Sequence, residues 1–220
     1  MDQQAPPAVA AKPTRRDILR VATGVAGAAA VIGAVGAAAY LVPQLEEMSS
    51  GTTLPTVPGT IDVDLLPLQV GQQIMVFWRT WPVFVVHRGD EALAMLRNPD
   101  LLGQLADPGS EQLQQPPYAK NLQRSVRPEY AVMVGVCTHM GCTPAFYPQP
   151  SASDPQPDWL GGYLCPCHGS KYDLAGRVFK DVPAPYNLPV PPHRFVGDKV
   201  LRIGENPAGV KFDFNAILQI

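Results

Sequence analysis

Beyond residue 60 the apolar positions come in short bursts broken by glycine, proline and small polar residues, with no recurrence every three or four positions that would mark long amphipathic helices. The stretch QQIMVFWRTWPVFVVHR (72–88) holds two β-branched and aromatic runs around Arg79-Thr80, which predicts a strand pair. YAVMVGV, from Tyr130, predicts a buried strand, and FVGDKVLRI (195–203) predicts a hairpin turning at Gly197-Asp198. VKFDF (210–214) alternates as a closing edge strand would. Between these, Asp90 is placed to cap a short helix through Arg97 that ends at Asn98-Pro99, and 98–128, polar and rich in proline, predicts irregular chain.

The first sixty residues obey a different rule. After TRRDILR (14–20), the run Val21 to Leu45 carries no charge over twenty-five residues. A helix of that length spans about 37 Å, enough to cross a hydrocarbon core of about 30 Å. Lys12, Arg15, Arg16 and Arg20 precede it, so the positive-inside rule keeps the N-terminus cytoplasmic and exports the chain beyond residue 45. The pair Arg15-Arg16 resembles a twin-arginine export signal, the route for cargo that is already folded. The run is far longer than the about 7–15 residues of a signal-peptide core, which favours a retained anchor over a cleaved leader. Ala22, Ala26, Ala30, Ala34 and Ala38 line one helical row, a surface on which another membrane helix could approach closely. EEMSSGTTLPTVPGT (46–60) has no periodicity and is predicted to act as a tether. The resulting organisation is a cytoplasmic arm (1–17), an anchor (18–44), a hinge (45–60) and an exported domain (61–220).

Composition narrows the choice further. Twenty-five prolines and nineteen glycines disfavour a helical bundle and support a mainly β domain. A net charge of −2 lacks the cationic field that nucleic acid would require. All four cysteines fall between 137 and 167, so every thiol belongs to one locality.

That locality consists of two motifs. GVCTHMGCTP (135–144) contains Cys137, His139 and Cys142, and LCPCHGSKYD (164–173) contains Cys165, Cys167 and His168. Zinc can be held by two cysteines and two histidines, but the common finger places both cysteines on one loop and both histidines on the other. Here each loop offers one of each, and zinc would leave two cysteines unused. The motifs CTHMGC and CPCHGS resemble the paired loops of Rieske iron-sulfur proteins, in particular the Rieske subunits of bacterial ubiquinol-cytochrome c reductases, the cytochrome bc1 complexes. The resemblance extends over both loops, the preceding strand, the anchor and the tether.

It implies a mainly β fold: a Rieske-type antiparallel β domain with an inserted cluster-binding subdomain at about 134–190, tethered to one N-terminal transmembrane helix. It implies one 2Fe-2S cluster, with Cys137 and Cys165 on one iron and His139 and His168 on the other, and a Cys142/Cys167 disulfide clipping the loops together. Neutral imidazoles in place of two thiolates make the cluster less negative; Rieske centres as a class lie at about −150 to +300 mV, against about −400 mV for plant-type ferredoxins. The resemblance also implies that Ser170 and Tyr172 donate hydrogen bonds to the cluster and its ligands, raising its potential, and that DVPAPYNLPVPP (181–192) forms a proline-rich wall over it. His168 would take up a proton from ubiquinol as the cluster takes its electron, in a site built with cytochrome b. The electron would then pass to a c-type cytochrome, within a dimeric complex of the bacterial inner membrane whose Rieske domain is periplasmic. His87 and His193 match no motif and are assigned structural or solvent-exposed roles. No Ser-His-Asp set, phosphate loop or carboxylate pair is present, so catalysis would belong to the assembled complex. The alternatives are the Rieske small subunit of an arsenite oxidase, a soluble Rieske ferredoxin or oxygenase component, and a structural zinc protein.

Overall fold

The computed structural model describes residues 59–149, 159 and 161–218. The anchor at 18–44, the twin arginines and nearly all of the hinge lie outside the described residues; among those described, no helix is long and apolar enough to cross a membrane. Among the described residues, nine strands form three antiparallel three-stranded sheets. A base sheet joins β1 (Ile61–Asp64), β9 (Val200–Ile203) and β8 (His193–Val196) in that order. A middle sheet joins β2 (Gln73–Trp78), β3 (Trp81–His87) and β4 (Tyr130–Val134), and a small third sheet joins β5 (Ala145–Tyr147), β6 (Gly162–Leu164) and β7 (Lys171–Tyr172).

The middle sheet explains why β3 and β4 are apolar without alternation. Successive side chains point to opposite faces, so a strand buried on both faces must be apolar throughout. Val83 and Val85 of β3, with Val132 and Val134 of β4, face the core shared with Trp78, Leu201 and Ile203. Phe84 and Val86, with Ala131 and Met133, face the opposite core, which contains Cys137, Tyr163, Cys165 and Tyr172. Each fully buried valine contributes about 1.5–3 kcal/mol relative to exposure. The strand pair at 72–88 and the hairpin at 195–203 form as the pattern predicts, the latter with Val196 opposite Val200 and Gly197 at φ +65° in the turn.

Three predictions are corrected. Residues 210–214 form no strand: Asp213 accepts from the backbone N–H of Asn215 and turns the chain into a 3-10 helix, Phe214–Ala216. The alternation instead reflects burial of Phe214, whose ring meets Trp78 edge-on at 5.1 Å between centroids. Asp90 is the first residue of helix Asp90–Met95 rather than its cap, a position held by Gly89. The segment 98–128 is also less irregular than predicted, because Asn98 caps a second helix, Pro99–Gln104, through the N–H of Asp100 at 2.9 Å, and 117–119 form a 3-10 turn.

Candidate metal centre

The two cysteine-histidine motifs occupy the loop after β4 and the loop between β6 and β7, and both loops are the same turn. In the first, the N–H of Cys137 donates to the carbonyl of Cys142 at 2.8 Å, and the N–H of Gly141 to the carbonyl of Cys137 at 2.9 Å. In the second, the N–H of Cys165 donates to the carbonyl of Ser170 at 2.8 Å, and that of Gly169 to the carbonyl of Cys165 at 2.9 Å. Gly141 and Gly169 sit at the same place in each turn with φ +81° and +75°, a conformation that favours glycine. The resemblance between the two motifs is therefore a resemblance of backbone.

The turns point sulfur inward and imidazole outward. Cys137 and Cys165 are buried and not disulfide-bonded, whereas His139 is half-buried and His168 exposed. The two imidazole rings meet edge to face, 4.7 Å between centroids. Cys142 and Cys167 form a disulfide that joins the loops across a separation of 25 residues. The sulfurs of Cys142, Cys165 and Cys167 lie within 4.8 Å of one another, but two of them are bonded to each other, so this grouping shows the disulfide packing on Cys165 rather than a three-thiolate site.

Burial pushes the Cys165 thiol up, and Cys137, within hydrogen-bond reach, pushes it further; the N–H groups of Cys167 and His168 pull the other way. A thiol raised in this way does not ionise readily alone, and a metal at that place would supply the missing positive charge. With the disulfide subtracted, the donors are two buried sulfurs and two imidazoles, that of His139 with its Nδ1 buried and that of His168 exposed. That set suits a binuclear iron-sulfur group with unlike ends.

Tyr172 stands directly behind the sulfurs. Its hydroxyl donates to Cys137 Sγ at 3.2 Å and accepts from the N–H of Thr138 at 3.1 Å. Thr138 Oγ1 lies 3.2 Å from the same hydroxyl and donates to the carbonyl of Tyr186 at 2.7 Å. Burial, first of all, raises the Tyr172 phenol above its ordinary value, so the proton stays on oxygen and available to donate. Ser170 is buried, and its Oγ accepts the N–H of Ala184 at 3.0 Å, an interaction that does not use its own proton. The proline-rich segment is fastened over the loops by this bond, by Leu188 N–H to Gly176 carbonyl at 2.8 Å and by Val134 N–H to Pro189 carbonyl at 2.7 Å. Thr138 was invisible in the sequence as a site residue, since nothing in a Cys-Thr-His triplet announces a contact with a carbonyl 48 residues away.

The remaining histidines lie elsewhere. His87 Nδ1 is 2.9 Å from the carbonyl of Leu68 with its ring stacked on Tyr130, and His193 is fully buried, which excludes the solvent-exposed role for it.

A buried pair of thiols capped by a pair of imidazoles, on two equivalent turns stapled by a disulfide, defines an iron-sulfur domain of Rieske type. Residues 112–192 match the Rieske 2Fe-2S domain family. The ubiquinol-cytochrome c reductase iron-sulfur subunit of Allochromatium vinosum is 46% identical over 192 residues, covering 87% of this chain and 89% of that protein. The subunit of the same name from Bradyrhizobium diazoefficiens is 39% identical, covering 87% and 95%. A solved chain described as a hyperthermophilic respiratory Complex III matches with TM-score 0.43 at 20% identity over 80% of this chain and 98% of that one. The chain belongs to the Rieske family, in the group that contains the iron-sulfur subunits of bacterial ubiquinol-cytochrome c reductases.

Proposed function

We propose that this chain is the electron-carrying subunit of a membrane-bound ubiquinol-cytochrome c reductase, with Cys137 and Cys165 holding the inner iron of a 2Fe-2S cluster and His139 and His168 the outer one. When bound, the cluster supplies a one-electron acceptor of high potential, because two of its ligands are neutral nitrogens. The chain's own residues do the rest. The buried thiolates and the disulfide hold the loops at a fixed separation, and the proline-rich wall limits water. Tyr172 and Ser170 direct hydroxyl protons inward, favouring the more negative state. His168, exposed at the apex, presents its outer ring nitrogen to a quinol hydroxyl and can hold the proton released there. Cytochrome b and a c-type cytochrome are the partners in this reading, within a dimeric complex. The run at 18–44 anchors the chain in the bacterial inner membrane, Arg15-Arg16 direct export, and the hinge at 45–60 lets a periplasmic domain move between partners.

The observation that carries the reading is the separation of ligand types by depth, with both thiols buried and His168 exposed. Low-temperature EPR of the ascorbate-reduced protein tests it. A 2Fe-2S signal with an average g value below that of an all-cysteine cluster is the expected result, lost in His139→Ala and His168→Ala. Bound zinc, or sulfur alone around both metals, overturns it.

A further inference from the structure

Behind the cluster loops lies a layer of buried charge that the function described so far does not use. Among the described residues, three guanidiniums are buried, those of Arg88, Arg124 and Arg177, against one buried carboxylate, Asp173. Only Arg177 has an ion-pair partner in that layer, with Asp173 Oδ2 at 2.6 Å. Arg88 bonds neutral acceptors alone: the carbonyls of Pro128, Gln123 and Leu174, and Ser125 Oγ. Arg124 likewise takes the carbonyls of Ala175, Gly176 and Gln114 and the amide oxygen of Gln115. Buried Asp173 attracts Arg88 and Arg124 as well as its partner Arg177, one carboxylate shared among three cations; half-buried Asp107 and Glu129 attract Arg124 and Arg88 respectively, from positions reached by water, which screens them. Burial pushes the Arg124 guanidinium down to about 9 and that of Arg88 down to about 10, so both remain charged at neutral pH.

These cations converge on one short segment. Asp173 to Arg177 follows Tyr172, whose hydroxyl touches Cys137 Sγ. Gly176 leaves room where Arg124 Nη1, Met133 and Leu188 come together; a Cβ there would lie 3.3 Å from Nη1, 3.1 Å from Leu188 Cβ and 2.9 Å from Met133 Sδ. Met133 and Leu188 belong to the same apolar core as Cys137 and Cys165. The Arg124 guanidinium therefore adjoins side chains of the core that holds the sulfurs. In such a medium charges act over longer distances than in water, and salt screens them little.

We propose that Arg88 and Arg124 form a buried cationic layer that raises the electron affinity of the metal centre, with Asp173 acting in opposition. The proposal rests on the cluster assignment above. An electron arriving at the centre adds one negative charge, which the buried cations stabilise and the buried carboxylate opposes. Loops could be stapled by arginine forks without this consequence, so the sign of the effect is the test. EPR-monitored redox titration of the full-length, cluster-loaded protein should show a lower midpoint for Arg124→Gln and Arg88→Gln and a higher one for Asp173→Asn. The expected size is on the order of a tenfold change in electron affinity, or about 59 mV for one electron, nearly unchanged between low and high salt. Shifts of the same sign in all three variants would indicate loosened packing and overturn the proposal, as would unshifted midpoints with intact spectra. If Arg124→Gln fails to hold the cluster, the opposite signs of Arg88→Gln and Asp173→Asn decide. A wild-type protein without the histidine-ligated signal would instead overturn the cluster assignment.

Discussion

The proton of Tyr172 has two acceptors at the same distance, Cys137 Sγ and Thr138 Oγ1, both 3.2 Å away. The backbone N–H of Thr138 donates to the phenol oxygen, so the ring cannot swing elsewhere without losing that bond as well as its contact with Cys137; the Thr138 hydroxyl donates to the carbonyl of Tyr186. In the proposed cluster Cys137 would be a metal-bound thiolate, charged and the stronger acceptor, so the proton would go to sulfur. Tyr172→Phe should then lower the midpoint potential on the order of 50 mV, the equivalent of about 1 kcal/mol of differential hydrogen bonding, with the EPR spectrum retained. An unchanged midpoint in protein-film voltammetry would remove Tyr172 from the tuning set. Ser170→Ala is expected to do more than lower the potential. It also strips the partner from the Ala184 N–H, costing about 1–3 kcal/mol, so its thermal midpoint should fall as well. The four ligand candidates were legible because soft donors cluster conspicuously at 137–139 and 165–168. Thr138 and the buried arginines were not, since a lone Thr or Arg in a loop becomes meaningful only when chain from 34 to 86 residues away closes on it.

At the scale of elements, the two loops work as a pair only because two crossings of the chain hold them. The disulfide closes a separation of 25 residues, for which chain entropy alone gives about 3 kcal/mol. The double variant Cys142→Ala with Cys167→Ala should lower the guanidinium midpoint accordingly and shed the cluster at lower temperature; stability equal to wild type would make the bond dispensable. The other crossing is the approach of β6 to β7. Gly162, at φ +130°, lies where a Cβ would run into the carbonyl of Tyr172. Gly162→Ala should therefore push β7 back and withdraw Tyr172 from Cys137, giving protein that binds substoichiometric iron by metal analysis. Strands were legible where apolar runs were dense, as at 72–88. They were misread at 210–214, because burial of Phe214 and true alternation look alike until Asp213 is seen turning the chain. The helix at 99–104 was missed because six residues starting at a proline carry too little periodicity to register, although the Asn98 cap was in plain view.

For the molecule as a whole, the segment carrying the two cysteine-histidine loops returns to the base sheet through His193, the first residue of β8 and fully buried. Its backbone N–H donates to the Tyr118 hydroxyl at 2.9 Å, its Nδ1 lies 2.9 Å from the carbonyl of Pro191, and its ring meets Tyr118 and Phe195 edge-on. The Nδ1 contact requires the neutral ring to carry its proton there, so Nε2, which is buried without a hydrogen-bond partner, is a bare lone pair. Protonating Nε2 would place an N–H and a charge in apolar surroundings. Burial accordingly holds this imidazole down at about 4, while the Tyr118 phenol, pushed up to about 12, stays neutral and offers no compensating charge. The unfolded chain takes up its proton near 6.5 and the folded one only near 4, so the unfolded state binds more protons throughout that interval. Stability is fully present above 6.5, declines as pH falls through the interval and levels off below it. Between pH 7.5 and pH 5 the loss from this one group is about 2 kcal/mol. In His193→Asn the side chain can still donate toward Pro191 but does not titrate. Guanidinium unfolding of the cluster-loaded variant should lose that part of the pH dependence, whatever the substitution does to absolute stability at pH 7.5. Identical slopes in variant and wild type would show that acid acts on the junction through some other group.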